Sequence, residues 1–420
     1  MRLRPISVTL LVLLFSAGLL GIGWLVLRPK GELLTSAQFS HNNISPNADG
    51  VDDLTRITYQ LERPANVSIY FLASDNTRYN FRTDNPREAG EYNLLFSGVV
   101  DGFTLPNESI EGEVLNRVLP DGEYTWVVSA ANTTESAQLS GHLSIVSADT
   151  LLPEIRGFSI SPEIFTPNRD GIDDRTWINL YLTKDAHLTV HLVEFDNAIP
   201  RPIGEKETNV EPGKKGLHVF EYEGDVDFGV EPPSDGTHQI VALAQDALGQ
   251  KVRQVGNLQV QNGGVPRAEI VNATVEYNSS TILQGEPLCF ELTVENYGRA
   301  PIRTTAPEPG FNYVDSETSN THQFYEESGA WRVGIDCDTC IRDYPWRWAV
   351  GEQADLTKIG DYYYLMPGER SVVRGCIDLT EIPSRNPLYF WAGLIHEDVE
   401  VSSVNNRVDP FYVKIVPKNE

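Results

Sequence analysis

The chain has 420 residues, of which 40% are hydrophobic, 10% aromatic and 22% charged. That is the profile of folded domains and not of disorder, with room for three domains of ordinary size. Beyond residue 30 there are 29 basic and 59 acidic residues, a net charge of −30, and a polyanion of this kind is repelled by phosphate, which excludes nucleic acid as a partner.

In chain order, the first predicted element is residues 5–27, a run without a charged side chain. At about 1.5 Å per residue it is long enough to cross a bilayer core of about 30 Å. The pattern predicts one transmembrane helix acting as a signal anchor, with residues 1–37 forming a cytoplasmic tip, the span and a short linker. A cleavable signal has a shorter apolar core of roughly 7–15 residues; cleavage near Thr35-Ser36-Ala37 is the alternative. Arg2 and Arg4 on one flank are matched by Arg28 and Lys30 on the other, so flanking charge does not set the orientation. The expected location is the cell membrane, single-pass, with the bulk of the chain extracytoplasmic.

Next comes an internal repeat. At an offset of 121, Ser45-Pro-Asn-Ala-Asp-Gly-Val-Asp-Asp53 aligns with Thr166-Pro-Asn-Arg-Asp-Gly-Ile-Asp-Asp174, identical at six of nine positions. The same offset aligns Ile57, Tyr59 and Leu61 with Ile178, Leu180 and Leu182, and then Val67, Ile69 and Phe71 with Leu188, Val190 and Leu192. Apolar residues at every second position predict strands with one buried face. Between them, 62–65 and 183–186 read as tight reversals joining a hairpin. Each copy ends with an Asp-Gly turn, Asp121-Gly122 or Asp235-Gly236, ahead of another alternating strand. With no helical run, the expectation is an all-β chain with Ig-like β-sandwiches at 38–150 and 151–262.

This order of strand, turn, strand and late Asp-Gly strand resembles the Ig-like domain of the flagellar hook-capping type found in bacterial surface proteins. The opening S/T-P-N-x-D-G-x-x-D resembles gliding-motility and sortase-sorted surface modules. Both copies depart from the commonest form, which has Gly where this chain has Ala48 and Arg169. The resemblance covers about residues 38–260 and implies a bacterial envelope protein.

The opening loop is rich in oxygen donors around a glycine turn, and calcium takes six to eight oxygens from such loops. The candidate ligands are the side chains of Asn47, Asp49 and Asp53 with the Val51 carbonyl, and those of Asn168, Asp170 and Asp174 with the Ile172 carbonyl. One structural Ca2+ per Ig-like repeat is expected. The competing reading is an ordinary turn, because Asn, Asp and Gly also close loops through side-chain-to-backbone bonds.

From residue 263 to 420 the pattern changes. Phe290, Leu292 and Val294 alternate ahead of a Glu-Asn-Tyr-Gly turn, and Met366-Pro-Gly-Glu369 precedes another strand. Val294-Glu-Asn-Tyr-Gly298 and Met366-Pro-Gly-Glu369 resemble the bacterial adhesion-type sandwich known as CARDB, which implies a third, CARDB-like β-sandwich. All four cysteines fall here: Cys289, Cys337, Cys340 and Cys376. Two disulfides, a four-thiolate zinc site and free thiols are open readings; the strand phases put Cys289 and Cys376 away from the core, where they could bridge neighbouring strands. An aromatic-rich insertion holds Trp331, Trp346, Trp348 and Tyr363, which are either a ligand-binding surface or a plug in one end of the sandwich. His396-Glu397-Asp398 reads as a solvated turn.

No catalytic motif is present: no Gly-x-Ser-x-Gly elbow, phosphate-binding glycine loop or His-Glu-x-x-His. The expected function is therefore not enzymatic. It is that of a membrane-anchored structural or adhesion protein, whose two calcium-stabilised repeats space a C-terminal interaction domain that meets an unknown protein or glycan partner. The alternative is a surface protein that binds glycan or peptide through the C-terminal aromatics.

Overall fold

The computed structural model describes residues 31–195 and 199–418. They form two compact units. The first holds residues up to Glu154 with 184–187 and 244–253, and the second holds Ile155–Thr183, Leu188–Leu243 and the chain from Gln254 onward.

In the first unit, strands Leu34–Phe39, Thr55–Leu61 and Gly90–Phe96 make one sheet. Asn43–Ile44, Ser136–Ile145, Gly122–Ala131, Ala65–Leu72 and Arg78–Arg87 make the other, in that spatial order. Ile57, Tyr59 and Leu61 are buried from one side and Val67, Ile69 and Phe71 from the other; burial of each such side chain contributes about 1.5–3 kcal/mol. Phe39 stacks on Trp126 in this core at 4.8 Å between ring centroids.

Residues 62–65 do not make a hairpin, because the two strands they join lie in different sheets. Both strands bury their apolar face, so the chain arches across the core and sets the two faces against each other. Thr176–Leu182 and His187–Val193 likewise fall in different sheets. Cleavage near Thr35–Ala37 would fall inside the strand Leu34–Phe39, paired with Thr55–Leu61, and Leu33 and Leu34 are core residues.

The repeat extends to individual bonds. Buried Thr55 donates through Oγ1 to the His41 carbonyl at 2.9 Å, and buried Thr176 to the Pro162 carbonyl at 2.8 Å. Beside the Asp-Gly turns, Tyr124 Oη donates to the Pro120 carbonyl and His238 Nε2 to the Ser234 carbonyl, each four residues back. A short strand before each N-x-D-G loop runs parallel to the last strand of its module, Ile44 beside Ile145 and Phe165 beside Val260.

The third sandwich lies in the second unit. One sheet runs Ala268–Ile270, Pro287–Asn296, Arg370–Asp378 and Asn312–Val314; the facing sheet is built on Val408–Val416, Leu388–His396, Trp331–Cys337, Ile302–Thr304 and Tyr362–Leu365. Leu288, Phe290, Leu292, Val333, Ile335, Trp348, Leu394 and Val413 close the core between them.

The expected fold class needs one correction. The all-β sandwich architecture is present, but among the described residues the only helical elements are four 3-10 turns of three or four residues. None is long and apolar enough to cross a membrane. The span predicted over residues 5–27 lies outside the described residues.

Candidate functional site

The two N-x-D-G loops close in the same way. In the first, Asp53 Oδ1 accepts from the N–H groups of Asn47 and Ala48 and Oδ2 from that of Gly50, while Asn47 Oδ1 accepts from the Asp49 N–H and Asp49 Oδ1 from the Val51 N–H. Ser45 Oγ donates to the Val51 carbonyl and Asn47 Nδ2 to Asp49 Oδ2. In the second loop, Asp174 takes the N–H groups of Asn168, Arg169 and Gly171; Asn168 Oδ1 takes that of Asp170 and Asp170 Oδ1 that of Ile172. Thr166 Oγ1 donates to the Ile172 carbonyl. The positive φ angles match too: 62° at Ala48, 88° at Gly50 and 52° at Asp52, against 60° at Arg169, 84° at Gly171 and 49° at Asp173.

In the first loop every oxygen that the spacing offers to calcium accepts a hydrogen bond from the loop itself; in the second the same holds except for Asp170 Oδ2, which accepts from Tyr364. The donor set fits a turn closed by side-chain-to-backbone bonds, and an ion would compete with those donors.

The loops differ in their surroundings. In the first, Asp49 is exposed, and Val51 is 64% exposed. In the second, Asn168 is 2% and Asp170 4% exposed, because the loop is seated against the third sandwich. Arg303 Nε donates to the Asp170 carbonyl at 2.8 Å and Nη2 to the Ser328 carbonyl. Tyr364 Oη donates to Asp170 Oδ2 at 3.0 Å, and His396 Nε2 donates to the Arg169 carbonyl at 2.8 Å. Gly171 faces the Ser328 carbonyl and Gly329 the Asp170 backbone so closely that neither position has room for a Cβ. Close backbone approach is what requires glycine here.

Burial reverses the electrostatics of the shared loop. In the first copy, backbone bonds led by Asn47 hold the Asp53 carboxyl below the usual carboxylate range. In the second, desolvation outweighs the same bonds and raises Asp174. Asp170 is pushed up to about 6, first by burial and then by the neighbouring Asp174 charge. His396 is driven down to about 4 by burial.

His396 and Glu397 are not the solvated turn that the sequence suggests. Each is 2% exposed; His396 ends the strand Leu388–His396 and stacks on Trp331 with centroids 4.4 Å apart. Glu397 receives Arg347 at 2.7 Å and Arg332 at 3.4 Å, so two guanidinium groups neutralise one buried carboxylate. The Arg303, Tyr364 and His396 seat carries no local sequence signal, since its members are scattered over almost 100 residues of sandwich strand and act only through the fold.

The aromatic candidates are mainly core. Trp331, Trp346 and Trp348 are buried, and the Trp348 indole donates to the Phe311 carbonyl. Tyr363 is half-buried and lines a groove with Pro307, Phe311, Phe324 and Leu356. Trp346 also lines a second cleft of about 570 Å³. The cysteines form two disulfides. Cys289–Cys376 joins facing positions of two paired strands, and Cys337–Cys340 closes a tight loop.

No family model matches the chain, and no curated protein matches it. A two-domain fibronectin type III segment from chicken tenascin is similar at 11% identity and a TM-score of 0.17, over 54% of this chain and 99% of that one. The strand pairing itself defines the sandwiches.

Proposed function

We propose that the chain is a non-catalytic structural or adhesion-type protein of an extracytoplasmic, oxidising compartment. In this reading the second and third sandwiches act as one rigid piece that presents the third as its interaction module. The observation that carries it is the seat of the second N-x-D-G loop: a motif that is exposed in one repeat is buried in the other by Arg303, Tyr364 and His396. A buried polar network of this kind is costly when half-made and specifies one arrangement when complete. Two disulfides support the compartment, since reducing cytosol keeps thiols free. Burial of Trp331 and Trp348 favours scaffold over a glycan platform on those indoles.

Scanning calorimetry of the full chain tests the reading. The second and third sandwiches are expected to melt in one transition that splits in Arg303→Ala. Separate transitions in the unaltered chain would sink the rigid-piece reading. Rapid alkylation of the protein as isolated should find no reactive thiol, and four reactive thiols would remove the compartment assignment.

A further inference from the structure

The third sandwich does not close at one end. A cleft of 570 Å³ opens there, floored by Trp346, Leu379, Leu388, Phe390 and Ile415, all members of the sandwich or its core, and walled by the Cys337–Cys340 disulfide. The volume lies within the roughly 300–1,000 Å³ of ligand sites, and an apolar floor with a few polar groups at the mouth is their usual composition.

Two features keep the cleft open. The Cys337–Cys340 bond, with the Cys340 N–H donating to the Cys337 carbonyl, folds residues 337–340 into a fixed wall. The following residue, Ile341, lines the cleft while standing fully exposed, at 102%. An aliphatic side chain held in water beside an apolar floor is contact area not yet used.

The mouth supplies the selectivity. Asp315, Glu317 and Glu381 line it against a single cation, Arg342. Asp315 is fixed by Thr380 Oγ1 and the Glu381 N–H, and Glu317 by the Val314 N–H and His322, so these carboxylates are positioned. Negative potential at the mouth disfavours anionic lipid headgroups and attracts cations.

We propose that this cleft is a peptide-binding site that takes one large apolar side chain flanked by lysine or arginine. The proposal rests on the third sandwich being the interaction module and names the chemistry of its partner. The apolar side chain replaces water over the Trp346 and Phe390 floor, Ile341 folds against it, and the flanking cations meet the carboxylates.

The test is calorimetric titration of the full chain with acetyl-Gly-Lys-Trp-Lys-Gly-amide and with its Glu-Trp-Glu counterpart. We expect saturable binding of the lysine peptide with Kd on the order of 10⁻⁴ M, and at least tenfold weaker binding of the glutamate peptide. Thr339→Trp, which puts bulk on the exposed loop at the mouth, should abolish binding. The double variant Glu317→Lys/Glu381→Lys should remove the preference for the lysine peptide. An unchanged melting profile in each variant confirms that it is folded. No saturable binding up to about 5 mM, or equal binding by Thr339→Trp, overturns the proposal. Neither result touches the single melting transition, so failure here is distinct from failure of the rigid-piece reading.

Discussion

The loops Asn47–Asp53 and Asn168–Asp174 share a motif, a backbone and a set of internal bonds, yet one lies in water and the other under a neighbouring sandwich. Since the bonds from backbone N–H groups to the loop's own carboxylates and amide are the same in both, the loop does not need its seat in order to close. What the seat adds is dependence: buried Asp170 needs Arg303 and Tyr364, whereas exposed Asp49 can use water. The comparison therefore separates what the motif does for its own repeat from what it does for the second unit.

The largest way to break the comparison is to remove the seat. Arg303→Ala leaves the carbonyls of Asp170 and Ser328 without their donor and strips a positive charge from a buried carboxyl. Loss of one partner from a buried charged network costs about 3–5 kcal/mol, so urea unfolding should show a loss of about 4 kcal/mol. Gly329→Ala should cost about as much through backbone collision. Gly50→Ala, where an added Cβ meets nothing within 4 Å, should lose only about 1 kcal/mol from its positive φ. Equal losses at Gly50 and Gly329 would show that the seat contributes nothing.

A second effect appears with pH. Asp170 has a folded pKa raised to about 6, so its protonation favours the folded state, and the stability it brings is full below about pH 4 and is lost as pH rises through 6. His396 has its folded pKa lowered to about 4, so the folded state prefers it neutral, and the stability it brings rises from pH 4 to about 6.5. The two oppose each other on facing sides of one seat. Single variants should unmask them: His396→Gln should make the second unit less stable at pH 7 than at pH 4.5, and Asp170→Asn should do the reverse, each by about 2 kcal/mol. Asp174 and Glu397 are raised as well, so they deepen the trend in His396→Gln and reduce it in Asp170→Asn. Unfolding free energies at the two pH values check this, and parallel profiles in both variants would contradict it.

Much of this fold was legible in the sequence. Alternation at Ile57–Leu61 and Val67–Phe71 gave the strands and their buried faces, and the offset of 121 located the second copy to the residue. The sheet to which each strand belongs was not legible, because two strands that each bury one face can pair or can face each other across a core, and both carry the same pattern. The site was less legible still. Asn168 and Asp170 look like Asn47 and Asp49 in sequence; Asp170 is met by Arg303 and Tyr364, more than 130 positions away, and Asn168 donates to the Asn262 carbonyl, 94 positions away. His396-Glu397-Asp398 reads as a polar turn because the composition of three residues carries no trace of the Arg332 and Arg347 that neutralise it.

A smaller effect separates the carboxylates themselves. Asp170→Ala loses the Ile172 bond and the Tyr364 bond inside a buried seat and should cost about 2 kcal/mol, whereas Asp49→Ala loses bonds that water replaces and should cost about 0.5 kcal/mol. The difference in urea midpoint between the two variants reads the seat directly, and equal midpoint shifts would mean that Asp170 gains nothing from it.

The smallest expected effect concerns calcium. The oxygens of Asn47, Asp49 and Asp53 already accept from the loop's own donors, and the Val51 carbonyl from Ser45. A Ca2+ ion at Asp53 would compete with the three backbone N–H groups that hold the turn. In the second copy an ion at the Asp170 carboxyl would in addition compete with Tyr364. Melting the full chain with calcium and with excess chelator should therefore move the midpoint by less than about 1 °C, well below the roughly 2–4 °C that 1 kcal/mol produces in a domain of this size. A rise of several degrees that Asp49→Ala and Asp170→Ala each reduce would instead show that the ion displaces these donors, and that both loops are structural calcium sites whose turns only pre-order the ligands.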